Sequence, residues 1–128
     1  MKNVKLFSIL TIILLAVSCK NKDVNPNLPV ANFTADNDTI PYGIGSNLVF
    51  NFTNTSSNAT TYRWDFGGGY SATTTNGYIS YTSADLTNFF TLVTLSGTNY
   101  YSNQIKLTAK NGTDSSVITK TVVIIEEL

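Results

Sequence analysis

Hydrophobic positions follow two regimes along this chain, and the change between them divides it. From Leu6 to Val17 they form one nearly unbroken run, interrupted only by Ser8 and Thr11. Beyond Pro29 they alternate with polar residues, the pattern of strands with one face buried. Ala31, Phe33 and Ala35 share one face of a first predicted strand, and Leu48, Phe50 and Phe52 one face of a second. Tyr62, Trp64 and Phe66 follow on a third, with Arg63 and Asp65 on the opposite face. Gly77 to Tyr81 and Phe89 to Leu95 predict two more strands. Gln104 to Lys110 turns Ile105, Leu107 and Ala109 inward and Lys106, Thr108 and Lys110 outward. Val117 to Ile125, dense in β-branched residues, predicts a closing strand.

The breaks between these runs carry turn chemistry. Asp36 to Ser46 reads as a loop, and Asn54 to Asn58 as a turn. Gly67-Gly68-Gly69 ends the third strand, because glycine weakens strands and permits positive φ. Ser83-Ala84-Asp85-Leu86 predicts a turn or a single helical turn, Ser96 to Asn99 a turn, and Asn111-Gly112 a type I′ hairpin. About seven strands in about a hundred residues, with no convincing helix, predict an all-β immunoglobulin-like sandwich. The sole Cys is Cys19, so no internal disulfide forms and Trp64 is held by packing alone.

The N-terminal run reads as an address. Lys2 and Lys5 precede it, and it is shorter than the roughly 20 apolar residues a spanning helix needs. It ends in Leu15-Ala16-Val17-Ser18-Cys19, followed by the polar Lys20-Asn21-Lys22-Asp23. This resembles the lipobox of bacterial lipoproteins, with Ala16 where Leu is more usual. The resemblance implies cleavage before Cys19 and acylation of it, with chains such as palmitate. An ordinary secretory signal with a stray cysteine is the alternative. The expected organisation is a signal peptide over residues 1–18, an acylated Cys and flexible tether over 19–28, and a sandwich domain over 29–126. The expected location is the cell envelope, on the outer membrane, facing either the periplasm or the outside.

Composition narrows the chemistry. Charged residues make up 12% of the chain and the net charge is zero. No basic run exists, so nucleic acid is not an expected partner. The absence of His removes Ser-His-Asp and Cys-His catalysis and the commonest zinc ligand.

A family resemblance emerges from the order of segments. Pro29-Val30-Ala31-Asn32-Phe33, Val49-Phe50-Asn51-Phe52-Thr53-Asn54-Thr55-Ser56 and Ile105-Lys106-Leu107-Thr108-Ala109-Lys110-Asn111-Gly112 resemble strands of polycystic-kidney-disease (PKD) domains. Tyr62-Arg63-Trp64-Asp65-Phe66-Gly67-Gly68-Gly69 is similar to their hallmark Y-x-W-D-F-G-D-G, and Thr119 to Ile124 to their last strand. In the hallmark, Gly68 stands where the family usually has Asp. The family's His-containing element is missing or rebuilt, and the segment between Gly69 and Asn103 is longer than in the short form. The resemblance implies an extracellular binding or spacer module, rarely catalytic. Such modules often stand beside proteases and polysaccharide-active enzymes.

Candidate sites are few. Gly67-Gly68-Gly69 lacks the Lys-Ser/Thr and the helix of a phosphate loop, so it reads as a turn. Asp65 reads as an acceptor of backbone hydrogen bonds rather than a catalytic acid. Tyr62, Trp64, Asp65, Phe66 and Gly67 are therefore a structural signature, and no catalytic residue, cofactor or transition metal is expected. Asp36 and Asp38 offer oxygen ligands for Ca²⁺ but lack the spacing of an EF-hand. Tyr70, Tyr78, Tyr81, Tyr100 and Tyr101, set among Asn, Thr and Ser, are candidate glycan contacts. They equally suit ordinary strand faces. The Asn-x-Ser/Thr triplets at Asn32, Asn37, Asn51, Asn54, Asn58 and Asn111 follow from composition. Asp38-Thr39-Ile40 resembles a short O-glycosylation motif of Bacteroidetes.

The expected function is non-catalytic binding or spacing on a lipid anchor, with a glycan or another envelope protein as partner. The alternatives are a subunit of a larger surface assembly joined by strand edges, and an accessory factor of an extracellular hydrolase.

Overall fold

The computed structural model describes residues 26–43 and 47–126. The leader, Cys19 and most of the tether lie outside the described residues. In chain order the elements are β1 (Phe33–Ala35), β2 (Thr39–Tyr42), β3 (Leu48–Asn54), β4 (Thr61–Asp65), β5 (Ser71–Ala72) and β6 (Gly77–Tyr81). Then come α1 (Ser83–Phe89), β7 (Thr91–Leu95), β8 (Thr98–Asn111) and β9 (Asp114–Glu126). One sheet has the order β1-β3-β6; the other has the order β2-β9-β8-β4-β5, with β7 pairing the first part of β8. β2 runs parallel to β9, and the remaining pairs are antiparallel. Two sheets over one core, in this strand order, form an immunoglobulin-like sandwich.

The alternating residues meet between the sheets. Phe33, Leu48, Phe50 and Phe52 of the small sheet pack on Trp64, Ile105, Leu107, Val122 and Ile124 of the large one, with Phe66 just past β4. Trp64 stacks on Phe66 at 6.1 Å with an interplanar angle of 4° and on Phe52 at 5.8 Å, and Phe33 meets it edge-on at 5.1 Å. Aromatic pairs at these separations add to what area burial alone contributes. The indole N–H of Trp64 donates to Thr74 O at 3.1 Å, so its one polar group is satisfied. Lys120 lays its ammonium 5.0 Å from the centre of the Phe33 ring and donates to Phe33 O, closing the edge of the core with a cation.

Several elements depart from the expectation. Thr39–Tyr42 is a strand rather than part of a loop: it pairs with Val123–Glu126 at the sheet edge, where Pro41 is tolerated. β8 begins at Thr98 rather than Gln104. Its early residues pair with β7 on one side and β9 on the other and are half-buried without alternation, so no period marked them. Asn111 pairs with Asp114, so the hairpin residues are Gly112 and Thr113; only Gly112 has positive φ (60°), the pattern of a type II′ turn. The type I′ geometry is found instead at Ser96 (φ 51°) and Gly97 (φ 86°), between β7 and β8.

The segment at Ser83 forms a full helix of 7 residues. Thr82 and Asp85 make a capping box: the Thr82 hydroxyl accepts from Asp85 N, and Asp85 Oδ2 accepts from Thr82 N at 2.7 Å. Leu86 and Phe90, four apart, turn into the core. So short a helix leaves too little periodicity to read from sequence.

The two ends of the sandwich differ. At one end the chain enters: Asn58, in left-handed conformation (φ 54°), donates to Pro26 O at 3.0 Å and Leu28 O at 3.3 Å, near the β3–β4 and β8–β9 connections. At the other lie the glycine turn, α1 and the β7–β8 hairpin.

Candidate functional site

The glycine turn is tightly packed at two of its three glycines. Gly67, Gly68 and Gly69 all have positive φ (79°, 57° and 88°). A Cβ on Gly68 would lie 2.6 Å from the Phe89 ring, and one on Gly67 2.9 Å from the Asn103 amide. Phe66 O, where the strand breaks off, accepts from Tyr81 Oη at 2.6 Å and from Asn103 Nδ2 at 2.7 Å. Asp65 Oδ1 accepts from Gly67 N at 3.1 Å, and its other oxygen is 3.3 Å from the Lys106 ammonium. That backbone bond, with Lys106, holds the Asp65 carboxyl below the usual range. Asp65 and Phe66 thus spend their polar groups on the turn and its neighbours.

The five candidate tyrosines do not form a platform. Tyr81 is a correction: it is 2% exposed, its ring lies in the core, and its hydroxyl is taken by Phe66 O. Burial pushes its phenol well above the ordinary value. Tyr78 is exposed on the outer face of the small sheet. Tyr70 packs beside Tyr81 and Phe89 at the glycine turn and donates to Asp85 Oδ1 at 3.2 Å. Tyr100 and Tyr101, adjacent on β8, point to opposite faces, and Tyr101 reaches Glu126 at 3.4 Å. The alternation of Tyr with small polar residues could not reveal which sheet each would join.

The acids are dispersed. Asp85, 8% exposed, is held by Thr82 and Tyr70, and the Thr82 backbone bond draws its pKa down. Asp36 and Asp38 flank the turn between β1 and β2, where Asp38 accepts from the Thr39 hydroxyl. Among the described residues no three Asp, Glu, His or Cys side chains converge.

A groove of about 450 Å³ opens beside β4. Its cause is the shortness of β5, which pairs β4 only at Trp64 and Asp65. From Thr61 to Arg63 the β4 edge therefore lacks a strand partner, and the connection to β6 crosses in front of it. Thr73 and Thr75 of that connection form one wall. Thr60, Thr61, Tyr62 and Arg63 form the floor with Thr108 and Lys110 of β8. The wall is fixed from within. Thr74 O accepts from the buried Trp64 indole, the Thr74 hydroxyl donates to Asn76 O at 2.6 Å, and Asn76 accepts from Asn54 N at 3.1 Å. Volume and partial enclosure suit a small ligand or a stretch of polymer. Sequence reading placed Arg63, Thr108 and Lys110 on outward faces but had no means of making them neighbours.

β7 is a different kind of surface. All five of its residues are exposed, with Leu92 at 51%, Val93 at 47% and Leu95 at 60%. It pairs only with β8, and it carries none of the charges or prolines that usually protect an edge.

Against known proteins, the crystal structure of the PKD1 domain of Vibrio anguillarum Epp is similar to this chain. The two are 22% identical, the match covers 76% of this chain and 93% of that one, and the TM-score is 0.48. No protein-family model matches the chain, and neither does any curated protein sequence. The fold class stands on the strand order itself.

Proposed function

We propose that this is a lipid-anchored cell-envelope protein whose sandwich is a non-catalytic module, binding a glycan or holding a partner away from the membrane. The groove beside β4 carries the binding part of this reading. It is a preformed concavity with cations and hydroxyls in it and a wall anchored to the core. Asp65 and Asp85 are each committed to backbone hydrogen bonds, which favours a structural role for them over acid–base chemistry. The lipid part rests on the Cys19 motif. Two experiments test the reading. Cys19→Ala is expected to leave the membrane fraction or to accumulate unprocessed; a mature, membrane-bound variant would exclude acylation. Glycan-array binding by the full chain is expected to be saturable.

A second reading, a subunit of a surface assembly, is favoured by β7. There, a lysine placed in the strand by Val93→Lys is expected to dissolve a cross-linkable complex on intact cells while leaving glycan binding unchanged.

A further inference from the structure

We propose that the groove beside β4 binds an acidic polysaccharide, with Arg63 and Lys110 receiving its carboxylate or sulfate groups and threonine hydroxyls receiving its sugar hydroxyls. This rests on the binding reading above and names the ligand class for that site.

Strand register sets the charge of the groove. Thr61 pairs Lys110, Arg63 pairs Thr108 and Asp65 pairs Lys106 across β4 and β8. Arg63 and Lys110 are diagonal neighbours on the same face, about 7 Å apart at the Cβ level. Asp65 is the acid on that face, and it is engaged by Lys106 at 3.3 Å and by Gly67 N. Asp114, the other acid near this end of β8, pairs Asn111 and so has the opposite parity. The side chains of Arg63 and Lys110 make no hydrogen bond and no ion pair within 4 Å among the described residues, and the charge of Arg63 acts on Asp65 only through space. The groove therefore holds two cations and no acid of its own.

Its hydroxyls separate a saccharide from other anions. The Thr60 hydroxyl is spent on Lys110 O. Those of Thr61, Thr73, Thr75 and Thr108 have no partner among the described residues and line the same space. Four free hydroxyls beside two cations match a ligand with sparse charge and many hydroxyls. An acidic peptide would bring charge without hydroxyls, and the uncovered β4 edge, from Thr61 to Arg63, is too short to hold it as an added strand. Nucleic acid would bring denser charge and bases to stack, and no exposed aromatic ring stands in the groove beyond half-buried Tyr62, whose hydroxyl is turned to Ala59 O.

The test uses the full chain in detergent with four probes: polygalacturonate, dextran sulfate, neutral dextran and polyglutamate. Binding is expected to polygalacturonate or dextran sulfate, the stronger of the two identifying carboxylate or sulfate as the natural group. It is expected to weaken as ionic strength rises to about 0.5 M. Arg63→Gln with Lys110→Gln is expected to lower affinity by about tenfold or more, because charge-assisted hydrogen bonds are lost. The thermal midpoint should be unchanged, and Tyr78→Ala should bind as wild type. Equal affinity for polyglutamate would overturn the saccharide assignment. Binding to neutral dextran that survives the double substitution would overturn the cationic site while leaving a glycan-binding function in place. No binding to any of the three polysaccharides would overturn the inference, and the binding reading would then depend on the intact-cell cross-linking of the β7 surface.

Discussion

The glycine turn and the groove beside β4 lie on the same strand and are made of opposite materials. At the turn, Phe66, Tyr81, Phe89 and Asn103 close around Gly67 and Gly68, which have no room for a side chain, and Phe66 O accepts two hydrogen bonds. In the groove, threonines and two cations line open space, and most of their polar groups are unspent. The first place is distinctive in sequence because packing permits few residues there. The second is written in commonplace residues because an open, solvated surface permits many. Distinctiveness in this chain marks steric constraint, and the open polar surface lies elsewhere. Trp64 joins the two places. One side of its ring packs in the core, and its N–H holds the groove wall at Thr74.

That contrast makes stability and binding separable, and substitutions can test the separation. The largest effect is expected at Trp64. It is fully buried among aromatic rings, and Trp64→Ala should cost about 3–5 kcal/mol in a denaturant titration, a large part of the stability of so small a domain. Native-like stability in that variant would break the comparison outright.

Gly68→Ala comes next. Positive φ and a 2.6 Å approach to Phe89 should together cost about 2–3 kcal/mol. Combining it with Phe89→Ala should recover the steric part and leave the backbone part, which a double-mutant cycle would measure. The helix before β7 brings Phe89 onto this turn, which is why the chain needs glycine at Gly68.

Tyr81→Phe should cost about 1 kcal/mol, since Phe66 O keeps its bond from Asn103. Acid should act on the turn as well. Asp65 and Asp85 both sit below the ordinary carboxylate pKa in the folded chain. Their stabilisation is therefore complete above the unfolded value near 3.8 and is lost as pH falls through the folded values. Thermal midpoints should be flat from neutral pH to about 5 and fall below about 4, less steeply in Asp85→Asn. The smallest effect on stability is expected in the groove. Arg63→Gln and Lys110→Gln should each stay within about 0.5 kcal/mol of wild type. A larger loss would mean that these cations hold the fold together.

Much of the sandwich could be read from one dimension, because alternation is a local consequence of a strand having one dry face. Phe50 and Phe52, Trp64 and Phe66, and Ile105 and Leu107 are all buried where the period placed them. The chain alone also determined that Trp64 would be held without a disulfide, since there is no second Cys. Elements whose residues exist for a partner could not be read this way. β2 forms because β9 offers an edge, and the first part of β8 is sandwiched between β7 and β9 with no dry face to impose a period. α1 is fixed by one capping box and two buried side chains, too few for a helical repeat. Whether Tyr81 would lie in the core or on the surface depended on which end of β6 met the broken end of β4. The groove depended on tertiary structure altogether. Arg63 and Lys110 are far apart in the chain, and only the β4–β8 register and the early end of β5 bring them to one concave place.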